Sequence, residues 1–361
     1  MRILLIIKSF SFGGAENHVR DLANFLSNGG HEVHVMAKRG YQNDRLNSDV
    51  HFVNIKMTDI LLPVYVLFLC WFLRRHRIDV IHAHKRFPIM LACISGWVMK
   101  VPVVVTVHGK PWHDIRSPLA RKMAGRIIFV SLRTVSQYRH NDEIKHKSEF
   151  IQNGVDPDCE PSDRDTFSLC YISRIDRKHY DVLSLIMKNV LPDIVNAFPM
   201  VKLHILGDGE YLKELRKEAY LINRNRKREV CVIHGYVPEV KPLIRNSGLV
   251  LGVGRVAIEA LSCAVPVISL NREFMGQFVS EKNYPFYKDN NFVAAGHLPP
   301  DSDTLTSLIR GYLGDPVIYQ DEALLLQRRI REDFGMSKIG NAIICVYEGI
   351  MASRSRINSK T

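Results

Sequence analysis

The strongest constraint in this sequence is a rhythm. Apolar runs of strand length alternate with segments whose apolar residues recur at helical spacing. Residues 2–7 read as a strand. Residues 15–28 have helical spacing and stop at Gly29-Gly30. Residues 32–37 form the next strand, followed by 80–83 and 103–107 with a helical stretch between them, and by 127–130. Such alternation implies a parallel sheet covered on both faces, because parallel neighbours need long crossovers. The rhythm pauses at 153–165, where Gly154, Pro157, Pro161 and several aspartates suit an exposed linker. It then restarts with strands at 168–172, 201–206, 230–234, 249–252 and 267–270. The expectation is α/β: two doubly wound, Rossmann-like domains at 1–155 and 167–335, joined by a linker at 156–166. A C-terminal helix within 336–361 is expected to pack back on the first domain. Ligands of such sheets lie outside the carboxyl ends of the strands, so facing domains would place the active site in a cleft between them.

Composition narrows the partners. The chain carries a formal charge of +12, and residues 1–160 hold 22 Lys/Arg against 14 Asp/Glu. That excess favours anionic partners such as phosphorylated substrates or acidic lipid surfaces. No zinc-finger spacing and no aromatic-rich RNA-binding signature occurs, so no nucleic-acid partner is expected. The seven cysteines (Cys70, Cys93, Cys159, Cys170, Cys231, Cys263 and Cys345) are scattered without a C-x-x-C pair. This suits a reducing compartment and argues against disulfides or a zinc site. The opening apolar stretch ends at Lys8, too short for a secretory leader. No run reaches the ~18–20 apolar residues of a membrane span. A cytoplasmic protein is expected.

Residues 60–73 are nonetheless almost wholly apolar, and Arg74, Arg75, His76 and Arg77 follow. One reading is a core helix packed on the sheet. The other is a helix with one face in the core and another in a membrane interface, its arginines meeting acidic headgroups. The second would make the protein peripheral on the inner face of the cytoplasmic membrane, with a lipid-linked acceptor.

Four segments carry chemistry. Gly13 and Gly14, after the first strand, let backbone approach a ligand, and the following helix points its amides at anions. The fingerprint G-x-G-x-x-G is absent, which argues against a nicotinamide cofactor. His82, His84 and His108 stand at strand ends; residues 82 and 84 share a strand face, but nothing nearby in sequence supplies a third ligand, so no metal is expected. Arg174 and Lys178 follow the second domain's first strand, where cations can clamp a diphosphate. Finally, Gly252 and Gly254 open a loop onto a helix bearing Arg255 and Glu259, a carboxylate able to accept both hydroxyls of a ribose.

Taken together these segments resemble the retaining glycosyltransferases of family 4, which have the GT-B fold. The resemblance covers nearly the whole chain. Gly13-Gly14-Ala15-Glu16 and Gly30-His31-Glu32-Val33 resemble the family's opening. Asp79-Val80-Ile81-His82-Ala83-His84, Thr106-Val107-His108-Gly109, Val130-Ser131 and Asn153-Gly154-Val155-Asp156 follow in the family's order. So do the turns at Leu206-Gly207-Asp208-Gly209 and at Gly235 to Val237. The resemblance implies an acceptor-side N-terminal domain and a nucleotide-sugar-binding C-terminal domain. It implies that Arg174 and Lys178 neutralise the donor diphosphate and that Glu259 holds the ribose. Amides near Gly13, Gly14 and Gly254, with Arg255 beside them, would approach phosphate and sugar. Gly235 and Val237 would flank the base, and His108 would contact the transferred sugar. His108, Arg174 and Lys178 are the implied catalytic set.

Two departures stand out. Leu251 occupies a position where the family often has a second glutamate, and the usual Arg–Lys spacing would land on His179. The implied activity is transfer of a hexose from a nucleoside-diphosphate-sugar to a glycan or lipid-linked acceptor hydroxyl, with retention and without a metal. Bacterial surface polysaccharide synthesis (lipopolysaccharide or capsule) is the expected setting. The alternatives are a nucleotide-sugar epimerase of the same fold and a catalytically degenerate, nucleotide-sugar-binding partner subunit.

Overall fold

A computed structural model describes residues 1–358 apart from 12, 109–113, 137, 139–140, 157–158 and 160–162. Gly109 and Lys110, beside His108, and Pro157 and Pro161 of the linker therefore lie outside the described residues. The chain divides into two units, Met1–Val155 with Phe334–Thr361, and Asp156–Asp333.

The first unit holds seven parallel strands: β1 (Arg2–Ser9), β2 (Glu32–Lys38), β3 (His51–Asn54), β4 (Val80–His84), β5 (Val103–Val107), β6 (Arg126–Phe129) and β7 (Ser148–Phe150). Their order is β3-β2-β1-β4-β5-β6-β7. In β1 the strand period of two sends Leu4 and Ile6 into one core and Ile3, Leu5 and Ile7 into the other. The apolar run thus reflects burial on both faces. The edge strands β3 and β7 escaped sequence reading because they are short and carry polar residues. Helices α1 (Gly14–Asn28), α2 (Leu62–Arg75) and α3 (Arg86–Met99) supply crossovers.

The second unit holds β8 (Asp165–Ile172), β9 (Lys202–Leu206), β10 (Cys231–Gly235), β11 (Ser247–Gly252), β12 (Val267–Leu270) and β13 (Met275–Phe278). Their order is β10-β9-β8-β11-β12-β13, parallel except for β13 against β12. The two helices that matter most for its site are α4 (Arg177–Leu185) and α5 (Arg255–Ser262).

The last helix, α6 (Met336–Asn358), belongs to the first unit. A Cβ on Gly340 would lie 2.2 Å from Cδ1 of Phe25, so α6 and α1 touch where only glycine fits. The hydroxyls of Tyr347 and Thr106 stand 2.6 and 2.7 Å from Nδ1 and Nε2 of the buried His82. One ring N–H donates and the other nitrogen accepts, as a neutral imidazole allows.

Two expectations are corrected. The 153–165 stretch is expected to be exposed; Asp156, Asp163 and Asp165 are, but Asn153, Val155 and Cys159 are buried. Val155 pairs with Gly335: its amide donates to the Phe334 carbonyl at 2.9 Å and its carbonyl accepts from Met336 at 3.1 Å. The chain leaves the first unit where it later returns, so the two passes satisfy each other's backbone. The second correction concerns the cysteines. Cys159 and Cys263, 104 residues apart, form a disulfide. Beside it, Gln327 donates to the carbonyls of Cys159 and Ser262. Sequence spacing carries no signal of a pairing made by tertiary packing.

Tyr347→Phe is expected to leave a ring nitrogen of His82 buried without a partner. The loss should be roughly 1–3 kcal/mol of unfolding free energy by urea titration, with the native circular dichroism unchanged.

Candidate functional site

In the first unit, the loop after β1 brings Gly13 to φ +147°, and a Cβ there would lie 2.6 Å from Oε2 of Glu16. Glycine is required because the buried Glu16 carboxylate folds over it. Glu16 pairs with Lys85, which links β4 to α3 at φ +68°, a conformation rarely held by a side-chain-bearing residue. The sequence expectation gave Gly13 and Gly14 a free amide cradle. Here the first turn of α1 already carries an internal carboxylate in Glu16, so this helix start is less bare than expected.

Beside that pair lies a histidine cluster. His84, at the end of β4, places Nδ1 3.0 Å from Nε2 of His108, just after β5. His18 of α1 packs its ring edge against both, with centroids at 5.8 Å to His84 and 5.2 Å to His108. His18 and His84 are buried and His108 is partly exposed. Burial holds His82, His84 and His108 well below the ordinary histidine range; neighbouring rings, and Lys85 for the last two, push the same way. Sequence reasoning missed His18, because a helix and a strand end far apart in the chain converge only through the crossover. The reason for expecting no metal, the want of a third ligand, does not survive this convergence.

In the second unit, α4 begins with Asp176 as N-cap, its Oδ1 accepting from the amides of Lys178 and His179 at 3.1 Å. Arg174 and Lys178 are exposed and make no ion pair among the described residues. The choice of Lys178 over His179 is separated by environment. His179 is half-buried, its Nδ1 3.0 Å from the Tyr171 hydroxyl. Burial lowers its pKa, Asp176 opposes this, and Arg174 and Lys178 reinforce it. The close approach of neighbouring loops shows at Gly207, where a Cβ would lie 1.8 Å from the Ser173 carbonyl oxygen. Gly235, at φ +71°, turns the chain out of β10 towards the half-buried Val237.

From β11 to α5 the connection is only Val253 and Gly254, the latter at φ +59°. The Gly254 amide, expected to face phosphate, instead donates to the Asn291 carbonyl at 3.0 Å. The amides that follow lie in the first turn of α5, where no helical carbonyl precedes them. Nε of Arg255 lies 2.6 Å from Oε1 of Glu259, with side chains 9% and 15% exposed. The two predicted residues are thus one preorganised ion pair at a helix start. Leu251 is fully buried in the core of the sheet, paired beside Tyr171 and Ile268. Leu251 therefore serves the core of the sheet.

Residues 60–77 resolve into a third feature. Within α2 only Leu69, Phe72 and Leu73 are buried. Val64, Leu67 and Trp71 lie 56%, 73% and 58% exposed, and their spacing puts them on one face; Ile60, 91% exposed, lies in the short turn before the helix. Arg74 and Arg75 continue that line and, with Arg77, are exposed without an ion pair among the described residues. The helix therefore packs on the sheet by one face and leaves a second, apolar face outward. No helix among the described residues is long and apolar enough to cross a membrane.

Comparison with known proteins places these features in context. Residues 12–159 match the family model described as Glycosyltransferase Family 4, and residues 166–309 match that described as Glycosyl transferases group 1. An uncharacterized glycosyltransferase of Methanocaldococcus jannaschii is 23% identical over 76% of this chain and 82% of its own length. A human relative, one of the subunits of phosphatidylinositol N-acetylglucosaminyltransferase, is 25% identical over 72% of this chain and 59% of its own. Among solved structures, Anabaena HepE in complex with UDP-glucose superposes with a TM-score of 0.72 at 19% identity, covering 97% of this chain and 100% of that one. Sucrose-phosphate synthase of Thermosynechococcus elongatus gives 0.69 at 15%, covering 98% and 100%. These structural likenesses establish the fold.

The neutral histidines make stability depend on pH. The unfolded chain takes up protons near pH 6.5 that the folded cluster refuses, so stability is complete above that value and falls as pH drops below it. Urea unfolding at pH 7.5 and 5.5 should show a loss of up to about 1.4 kcal/mol per pH unit for each histidine that stays neutral. The slope should shrink in His84→Gln.

Proposed function

Because this chain belongs to glycosyltransferase family 4 and has the GT-B fold, we propose that it moves a hexose from a nucleoside-diphosphate-sugar to an acceptor hydroxyl with retention of configuration. The observation that carries this reading is the exposed, unneutralised pair Arg174 and Lys178 at the carboxyl end of β8. The barrier to transfer lies largely in departure of the diphosphate from an oxocarbenium-like centre. Cations and helix-start amides aimed at the leaving group stabilise the charge that develops there. Arg offers a planar fork to phosphate oxygens and Lys a point charge. The head of α5 adds amide dipoles. With Oε1 of Glu259 held by Arg255, its other oxygen is left to accept from ribose hydroxyls. The fold shared with a protein crystallised with UDP-glucose supports a nucleotide-sugar donor. In this reading Gly235 and Val237 flank the base, and His108 faces the transferred sugar.

The acceptor we infer is lipid-linked and the setting is surface polysaccharide assembly, lipopolysaccharide or capsule, at the cytoplasmic face of a membrane. The outward stripe Val64, Leu67 and Trp71, preceded by Ile60 and ending in three arginines, supports an interfacial helix. Apolar side chains would enter the acyl boundary while the arginines meet anionic headgroups. The human relative, whose name specifies a phosphatidylinositol acceptor, supports the same acceptor class.

Arg174→Ala is expected to lower transfer or donor hydrolysis by roughly 10²–10³-fold across a panel of nucleotide-sugars. Glu259→Ala should abolish most of the thermal stabilisation by nucleotide while the unliganded protein melts normally. Undiminished turnover in Arg174→Ala would overturn the mechanism.

The membrane reading has its own check. Cosedimentation with anionic vesicles should be strong at low salt, weak at high salt and absent with neutral vesicles. Leu67→Glu with Trp71→Glu should remove it. Removing the three arginines should weaken it by roughly 100-fold, on about 1 kcal/mol each.

A further inference from the structure

We propose that His179 couples donor binding to a proton: its ring is neutral in the free protein and takes up one proton when a nucleotide-sugar's diphosphate arrives. The proposal rests on the transfer reading, which sets that diphosphate at Arg174 and Lys178. His179 stands in the first turn of α4, next to Lys178 and behind the N-cap Asp176. Its ring packs edge-on to the buried Tyr171 of β8, with centroids 6.2 Å apart, and its Nδ1 lies 3.0 Å from the Tyr171 hydroxyl. Nε2 makes no hydrogen bond among the described residues, and the ring is only half-buried. One nitrogen is thus anchored to the sheet, and the other is left for a ligand at the helix start.

The anchor serves both charge states, because a hydroxyl can give a hydrogen bond or take one. With the ring neutral, Tyr171 gives its hydrogen to Nδ1 and the ring proton sits on Nε2. With the ring protonated, Nδ1–H donates to the Tyr171 oxygen, whose own hydrogen then needs another acceptor. Oγ of Ser173, beside that hydroxyl and buried without a partner among the described residues, can take it.

The surrounding charges set the direction of the coupling. Burial, foremost, holds the His179 pKa below its ordinary value; Asp176 opposes this, and Arg174 and Lys178 reinforce it. The positive end of α4 acts with the two cations. Tyr171, on the strand beneath, is itself kept neutral by burial. A diphosphate reverses the balance. Its negative charges offset Arg174, Lys178 and the helix start, and Nε2–H donates to a phosphate oxygen with charge assistance. The proton comes from solvent, and no bond of the donor breaks. Binding that takes up a proton is tighter at lower pH. The window runs from the lowered pKa of the free ring up to the raised pKa of the bound one. The imidazolium then adds a further positive charge where the leaving group develops negative charge.

UDP-glucose, ADP-glucose and GDP-mannose, whose phosphates and bases do not titrate between pH 6 and 8, are screened against the full-length protein by thermal shift. A donor that stabilises it is titrated calorimetrically across that range in buffers of different ionisation enthalpy, which counts the protons taken up. Affinity should rise by up to about tenfold per pH unit as pH falls, with uptake approaching one proton per donor. His179→Gln, checked for native circular dichroism, should bind independently of pH and take up no proton. His179→Lys, a permanent cation, should bind at pH 8 as tightly as the wild type does at pH 6, again without uptake. A merely structural role would shift affinity equally at every pH and leave the proton count unchanged. Wild-type binding that is independent of pH overturns the coupling, and so does uptake that persists in His179→Gln. Binding of none of the three donors counts against the transfer reading itself, and this proposal falls with it.

Discussion

A parallel strand pair cannot be closed by a tight turn, so each such strand leaves its carboxyl end through a loop and usually a helix. Both sheets here obey that constraint, apart from the β12–β13 edge. Its consequence is that strand ends, helix starts and close-packed loops gather along one edge of each sheet. Glu16, His18, His84 and His108 are brought together at that edge of the first unit. Arg174, Gly207, Gly235 and the Arg255–Glu259 pair stand at that edge of the second. The glycines follow from the same crowding: at Gly207 any Cβ would overlap the Ser173 carbonyl, and at Gly13 it would meet Glu16.

The two edges handle charge differently. In the first unit, Glu16 and Lys85 pair with each other, and His84 and His108 stay neutral because burial penalises the imidazolium. Lys85 holds a strained backbone to make that pairing, which costs on the order of 1–3 kcal/mol and persists only where the surroundings over-determine it. In the second unit, Arg174 and Lys178 remain exposed, while Arg255 is committed to Glu259. An edge with uncommitted cations suits an anionic leaving group. An edge lined with neutral imidazoles suits a hydroxyl. The division follows from desolvation, since charge left without a partner is tolerated only where water reaches it.

The apolar helix α2 is packed on one face only. It buries three side chains and turns a continuous apolar line outward, ending in arginines. Scattered exposed apolar residues are common on proteins, but a line of them on one helix face beside unpaired cations is not explained by packing. The membrane reading proposed for this helix rests on both halves together.

Much of this was legible in the sequence. The alternation of apolar runs with helical spacing determined two parallel sheets, because strand and helix periods differ and crossovers demand both. Residues whose role is local were legible too: Arg174 and Lys178 after a strand, Gly254 and Glu259 across a turn into a helix. The family resemblance added order to these segments. What the tertiary structure decided are the relations that span the chain. Glu16 closes over Gly13 and takes Lys85. His18 completes a ring cluster with His84 and His108. Asn291 takes the Gly254 amide. Cys159 reaches Cys263, and the chain just before the linker is buried at Val155, where the returning chain pairs with it. Periodicity reports which way a side chain faces within its own element. Which partner it then meets depends on how distant elements pack, and that is set by three-dimensional closure of the core.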